Sequence, residues 1–471
     1  MTTLHLSRPD LPLYLAGGAL TVVTAFAATE LNGPLVLTGL AALTFFLATA
    51  TCFAVAPHVA VAVTIPLFAT LPAIKTLAVP SIGPTKDLVT LAAGVAAAVL
   101  AARAVERGTP WIDHRLGLAI AALVALYVVN LGGVLGGTAF DAGWMHGVRL
   151  VAEPLVLLLV GFAAGGRRTL RWAIGSLSVT AVLIALYGVY QQAIGPGALV
   201  GMGYEYDSQV RTIGGRLRSF GTLDEPFAYA AFLLFGLCAA LFWYRRGGLA
   251  AALGVTVFVG LIPSQVRSAA IVSLALLGIW LARRGLVAVA GFVLVGAVIT
   301  AITILILLPG ATRTETTQTS QSTYLTVNGR TEGWRVVFSD LETLPLGKGV
   351  GVVGTAAERA ARDANVGVTE ERNTDAVDSG YFAAVADVGI VGLVLIVIIL
   401  GRLAQLAAQA AREGKREGWL AIALLVTLSF DAITRSSFTA FPTAFLGLLL
   451  VGLALAAARE EAPGPAAANA G

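Results

Sequence analysis

The sequence predicts an all-α, polytopic integral membrane protein of about 14 (12–14) transmembrane helices with one large outward-facing loop. Three observations carry that expectation. Mean hydropathy is +0.84, with 57% apolar and 12% charged residues, and water cannot solvate so much apolar surface. From about Leu11 to Pro309 one apolar stretch follows another, with short polar joints. The series is broken once, by a polar run of roughly 70 residues from Gly310 to Asp378, before the spans resume. The chain therefore divides into an N-terminal bundle (1–309), a large loop with an amphipathic helix (310–378), C-terminal spans (379–458) and a polar tail (459–471).

A helix needs about 20 apolar residues to cross the hydrocarbon. On that rule the spans fall at roughly 11–29, 34–55, 58–74, 87–105, 116–137, 148–165, 170–194, 226–244, 248–263, 267–282, 286–308, 380–400, 419–434 and 441–458. Arg8, the apolar run from Leu11 and Ala25-Phe26-Ala27 also suit a cleavable leader, but the many spans that follow favour a first span. From the fourth joint on, alternate joints hold most of the basic residues: Arg103, Arg107 and Arg115; Arg167, Arg168 and Arg171; Arg245 and Arg246; Arg283 and Arg284; Arg402, Arg412, Lys415 and Arg416. The positive-inside rule puts these in the cytoplasm and turns Gly195–Glu225 and Gly310–Asp378 outward. Lys75 and Lys86 run against the pattern, in a joint that should face out. The net charge of +4 and the pI of 9.2 then reflect orientation, not nucleic-acid binding. Cys52 and Cys238 lie in apolar stretches and suggest packing residues. No internal repeat is visible, which argues mildly against a repeat-built transporter. The tail, with Glu460, Glu461, Pro463 and Pro465 among Ala and Gly, reads as disordered.

Three outward stretches concentrate the polar chemistry. The first runs from Tyr204-Glu205-Tyr206-Asp207 through Arg211, Arg216 and Arg218 to Asp224-Glu225-Pro226. Pro226 suits the first turn of a helix, so Arg218 stands just before a span. The second, Pro263-Ser264-Gln265-Val266-Arg267-Ser268, is a tight joint with Arg267 at a helix mouth. Each arginine is either a snorkelling interface anchor or, with its planar fork beside a helix N-terminus, a phosphate ligand. The third is the large loop. From Arg330, the positions Trp334, Val337, Phe338 and Leu341 share one helical face, which suits a helix lying on the membrane. Pro345-Leu346-Gly347-Lys348-Gly349-Val350-Gly351 lacks Walker spacing and reads as a turn with close backbone approach. Within the spans, Arg149 with Glu153 and Asp431 with Arg435 stand four apart and can neutralise each other, while Asp387 has no partner nearby in sequence. Such groups either pair structurally within the bundle or line an outward polar cavity.

In this order, these stretches resemble the O-antigen ligase and polymerase superfamily of bacterial membrane glycan transferases. Arg218-Ser219-Phe220-Gly221-Thr222 is similar to its Arg-x-x-Gly-Thr segment, and Ser264-Gln265-Val266-Arg267-Ser268-Ala269 to its Ser-Arg-Gly/Ser-Ala segment with two residues inserted. Gly329-Arg330 with Trp334, then Pro345-Leu346-Gly347-Lys348-Gly349, resembles its Arg-x-x-x-Trp and Pro-x-x-Gly-x-Gly stretch. Asp378-Ser379-Gly380-Tyr381 with Asp387, Gly389 and Gly392 resembles its closing motif. The resemblance covers about Arg218 to Leu400 and implies transfer of glycan from a polyprenyl-diphosphate carrier on the outer face of the bacterial cytoplasmic membrane. Ligases of the family use a loop histidine. Here His5, His58, His114 and His146 all lie outside Gly310–Asp378, and Asp378 stands in that place. That departure favours a polymerase of lipid-linked repeat units over a ligase.

The expected roles follow. Arg218 and Arg267 hold the diphosphate and stabilise its charge on leaving. Asp378 orients or deprotonates the acceptor hydroxyl. Arg330, Trp334, Tyr381, Asp387, Arg211 and Arg216 contact substrate, and Tyr204 and Tyr206 offer further stacking faces. No metal or cofactor is expected: the acidic residues of the large loop do not cluster with His or Cys at ligand spacing, and the activated diphosphate linkage supplies the energy without an ATP motif. The expected partners are a polyprenyl-diphosphate-linked oligosaccharide, an acceptor glycan and membrane lipid. Two readings from other classes stand beside this one: a transporter or flippase of lipid-linked oligosaccharide, and an anchor or sensor whose loop binds a ligand.

Overall fold

The computed structural model describes residues 34–137, 140, 142–206, 209–213, 215–245, 247–289, 343–352 and 379–460, with single positions at 291, 293, 294, 296, 337 and 356. The helices in chain order are α1 (Pro34–Val55), α2 (Pro57–Leu77), α3 (Thr85–Glu106), α4 (His114–Val129), α5 (Leu131–Gly136), α6 (Ala142–Ala163), α7 (Arg167–Gly201), α8 (Pro226–Phe242), α9 (Gly247–Leu261), α10 (Arg267–Arg283), α11 (Gly380–Arg412), α12 (Arg416–Thr434) and α13 (Thr443–Arg459). Among the described residues, eight helices are long and apolar enough to cross a membrane, and three more apolar helices are shorter. The chain is thus an all-α, multi-pass membrane protein in its main architecture. The expected span at 11–29, most of that at 286–308, most of the large loop and the tail from Glu461 lie outside the described residues.

Helix ends follow local chemistry. The Asp113 side chain caps α4 by accepting from Leu116 N at 3.0 Å. The expected span 116–137 is interrupted at Asn130, which takes a left-handed conformation (φ 49°, ψ 52°) that asparagine tolerates. The Asn130 side chain then caps the short α5. Helix α7 outruns its expected end at 194 and continues to Gly201, with a kink at Gly195 before Pro196. One departure from a purely helical chain follows it: strands β1 (Arg211–Ile213) and β2 (Arg216–Arg218) form a small antiparallel ribbon.

Helix α13 sits centrally, packed against α6, α12 and α7. Small residues permit this contact: a Cβ at Gly161 of α6 would meet the Leu449 carbonyl oxygen of α13 at 2.5 Å. Lipid gives helices little hydrophobic reason to associate, so close backbone approach and packing must hold them together. The core is filled by Phe232, Phe235, Phe242, Phe445, Leu157 and Leu158, each under 2% exposed, whereas Val63, Leu91, Val179 and Leu183 face outward to lipid.

Candidate functional site

The segment 217–222 is held by α7. Gln191 is fully buried, and its Oε1 accepts from Phe220 N at 3.1 Å and Gly221 N at 2.9 Å, while its Nε2 donates to Gly221 O at 2.9 Å. The next residue, Gln192, donates to Leu217 O at 2.7 Å and to the Ser219 hydroxyl at 2.9 Å. The second outward stretch joins the first along the chain backbone. Ser219 N donates to Pro263 O at 2.9 Å, Gln265 Nε2 to Leu217 O at 3.2 Å, and Arg218 Nε to Ser264 O at 3.3 Å. The Arg218- and Arg267-bearing joints, far apart in sequence, are therefore one structural unit.

The two arginines differ in setting. Arg218 is 3% exposed, with its guanidinium 4.9 Å from the Phe227 ring centroid, so the snorkelling reading does not describe it. Arg267 is exposed at the first residue of α10. Arg211 pairs directly with Arg218 across the ribbon, and Arg216 lies two residues before Arg218. Pleating puts directly paired residues, and residues two apart, on the same face. Three arginines thus share one ribbon face. Tyr204 is no sugar platform: it is 3% exposed and packs edge-on against Phe220 at 4.9 Å. Burial pushes its hydroxyl well above the usual phenol range.

A second group, centred on Arg435, ties this unit to the start of α11. Arg435 is buried and donates to Asp431 Oδ2 at 2.9 Å, the Ser437 hydroxyl at 3.0 Å, Glu225 Oε1 at 2.6 Å and the Thr443 hydroxyl at 2.6 Å. Its carbonyl accepts from Gly380 N at 2.9 Å. Glu225 closes the segment that carries Arg218, and Gly380 begins the helix that carries Tyr381. Tyr381 is half-buried and donates to Ser429 O at 3.1 Å. Sequence spacing gave the Asp431–Arg435 pair; the link to Glu225, 210 positions away, has no sequence signal. Likewise Arg149 and Glu153 pair at 2.9 Å, but Lys86 and Asp87 of α3 join them in a four-charge cluster. Lys86 lies over the Phe445 ring at 5.3 Å, so this lysine is satisfied inside the bundle.

The glycine-rich stretch threads into a break in α11. That helix kinks at Val388 and Gly389, where Gly389 has φ 71°. The freed backbone groups are taken up by the stretch: Lys348 N donates to Ala386 O at 2.7 Å, and Ile390 N to Leu344 O at 3.0 Å. Non-helical backbone within a span is tolerated where protein satisfies it or where it lines a water-filled cavity. On the other side, Val350 N donates to Asn130 Oδ1 at 2.8 Å and Gly351 N to Asp387 Oδ1 at 3.2 Å. Gly351 has φ 78° and lies so close to the Gly143 carbonyl that a Cβ would overlap it. The reading as a turn with close backbone approach therefore holds. Asp387, without a partner nearby in sequence, finds two in space, since the Tyr127 hydroxyl also bonds its carboxylate. Asp387 and Tyr127 line a cavity of ≈ 90 Å³ between α4, α6 and α11, closed partly by Ser436, Phe438 and Thr439. By that measure a water needs roughly 10–15 Å³, so the cavity has room for several waters or a short stretch of hydrocarbon.

Arg330, Trp334 and Asp378 lie outside the described residues. Among the described residues, no three His, Cys, Asp or Glu side chains gather as a metal set. Residues 252–397 match the family described as O-antigen ligase. That match supports the O-antigen ligase and polymerase superfamily for this chain. It takes in Arg267, the glycine-rich stretch, Tyr381 and Asp387, while the ribbon arginines and Arg218 lie ahead of it. With the membrane-spanning helices, it supports a multi-pass protein of the bacterial inner membrane that handles lipid-linked glycan. No curated protein matches the chain.

Proposed function

We propose that the protein polymerises polyprenyl-diphosphate-linked oligosaccharide repeat units on the outer face of the membrane. One observation carries most weight: Arg218 and the joint that begins with Ser264 and leads to Arg267 form a single unit, on a ribbon that also carries Arg211 and Arg216. A unit of that kind suits a diphosphate, which guanidinium groups bind through paired hydrogen bonds. In the proposed reaction an acceptor sugar hydroxyl attacks the anomeric carbon of the donor. The bond from that carbon to the phosphate oxygen breaks, and polyprenyl diphosphate leaves with the electron pair. Arg218 and Arg267 stabilise its charge, and Arg211 and Arg216 attract the donor. Asp378 takes the hydroxyl proton and releases it to water. Arg330, Trp334 and Tyr381 hold sugar, and Asp387 keeps the glycine-rich stretch and the cavity wall in place.

The family match favours one alternative, transfer of a finished glycan to a separate acceptor as in an O-antigen ligase. The size distribution of surface and carrier-linked glycan, with and without the gene, separates the two. Collapse to single repeat units on the carrier supports polymerisation. Long chains that persist on the carrier but fail to reach the acceptor support ligation. No change in either pool would sink both readings and leave a transporter or flippase as the next to test.

A further inference from the structure

We infer that the arginine-rich end of α7, α8, α10 and α12 is a binding site for the phosphodiester headgroup of an anionic phospholipid in the cytoplasmic leaflet. This inference stands apart from the glycan reaction and lies at the opposite end of the helices. Four joints distant in sequence converge here. They bring Arg171 from α7, Arg245 after α8, Arg283 and Arg284 at the end of α10, and Arg416 at the start of α12. Arg283 lies within electrostatic reach of Arg284, Arg245 and Arg416, and Arg416 of Arg245 and Arg171. The described carboxylate beside them is Glu417, 3.6 Å from Arg416.

Orientation alone requires only positive charge in the joints, which arginines splayed into water supply as well. These are held instead. Arg283 donates to Phe242 O at 3.3 Å and Arg416 to Trp243 O at 3.4 Å, both at the C-terminal end of α8. The Arg416 guanidinium lies 3.8 Å from the Trp243 ring centroid, and that of Arg284 4.5 Å from Trp280. Elsewhere on the same side Arg402 is neutralised: it grips both Asp113 oxygens at 2.9 and 2.8 Å. A fixed set of like charges with one carboxylate costs self-repulsion that an anionic partner relieves. Tryptophan faces beside the cations match the interfacial depth where a phosphate meets its acyl chains. Basic pockets between helix ends on this leaflet bind anionic headgroups by the same physics.

The test uses the full-length protein in neutral detergent, titrated with phosphatidylglycerol or phosphatidylcholine and read by native mass spectrometry. Wild type should bind phosphatidylglycerol in preference to phosphatidylcholine. Arg245→Gln with Arg284→Gln, both at exposed positions, should weaken phosphatidylglycerol binding by about fivefold per arginine. Arg103→Gln with Arg107→Gln, exposed on the same side at the end of α3, should leave it unchanged. Equal binding of the two lipids, or equal loss in the two double variants, would overturn the inference. Displacement of phosphatidylglycerol by millimolar inorganic pyrophosphate would also overturn it, by pointing to a soluble ligand.

Discussion

Replacing Gln191 by Met tests whether the Arg218 segment is held from α7. Methionine nearly preserves volume, so packing changes little. Three bonds vanish: those from Phe220 N and Gly221 N to Oε1, at 3.1 and 2.9 Å, and that from Nε2 to Gly221 O, at 2.9 Å. Each buried backbone group left without a partner costs about 1–3 kcal/mol. Hydrogen bonds within membrane proteins fall at the low end of such scales, so the sum should be about 3 kcal/mol. Gln192→Met is the internal control. Gln192 is exposed; without its amide, Leu217 O still accepts from Gln265, and the Ser219 hydroxyl still donates to Gly188 O. That variant should cost about 1 kcal/mol or less. The assay is thermal unfolding of purified protein in detergent, together with polymer length in cells at matched protein level. Gln191→Met should melt well below wild type and shorten the polymer; Gln192→Met should do neither to a comparable extent. Equal melting temperatures for wild type and Gln191→Met, or equal losses in the two variants, would refute the argument that Gln191 holds this turn.

Further outcomes follow from the same geometry. Arg218→Lys loses both the Nε donation to Ser264 O and the planar face over Phe227, so polymer yield should fall by roughly tenfold to a hundredfold at normal protein level. Arg267→Lys, at an exposed position, should keep its fold and lose activity through weaker donor binding; full activity in both lysine variants removes the diphosphate role. Gly351→Ala places a Cβ against the Gly143 carbonyl at a left-handed φ, and should lower protein yield or melting temperature while a change at exposed Gly197 does not. The Arg402 guanidinium holds the Asp113 carboxyl well below the usual carboxylate range. The stability this supplies is complete above the unfolded value of about 3.9 and is lost as pH falls below it towards the folded value. Arg402→Gln should therefore narrow the gap in melting temperature between pH 7 and pH 3, and an unchanged gap would show that the bridge contributes nothing.

Hydropathy, charge alternation and a single polar interruption were enough to read an all-α, multi-pass membrane protein from the sequence, because lipid leaves the backbone few ways to satisfy its hydrogen bonds. Pro226 at a helix start and the close approach of Gly347–Gly351 were legible for local reasons, since proline and glycine restrict or free the backbone wherever they stand. The four-residue spacing of Asp431 with Arg435, and of Arg149 with Glu153, was likewise legible from helix periodicity alone. What spans the chain was not. Only the tertiary structure joins Arg218 to Ser264, Arg435 to Glu225, Lys86 to Glu153 and Asp387 to Tyr127 and Gly351. These contacts depend on which helices are neighbours and at what depth, and hydropathy, which sees only the preference for lipid over water, is the same for every such arrangement.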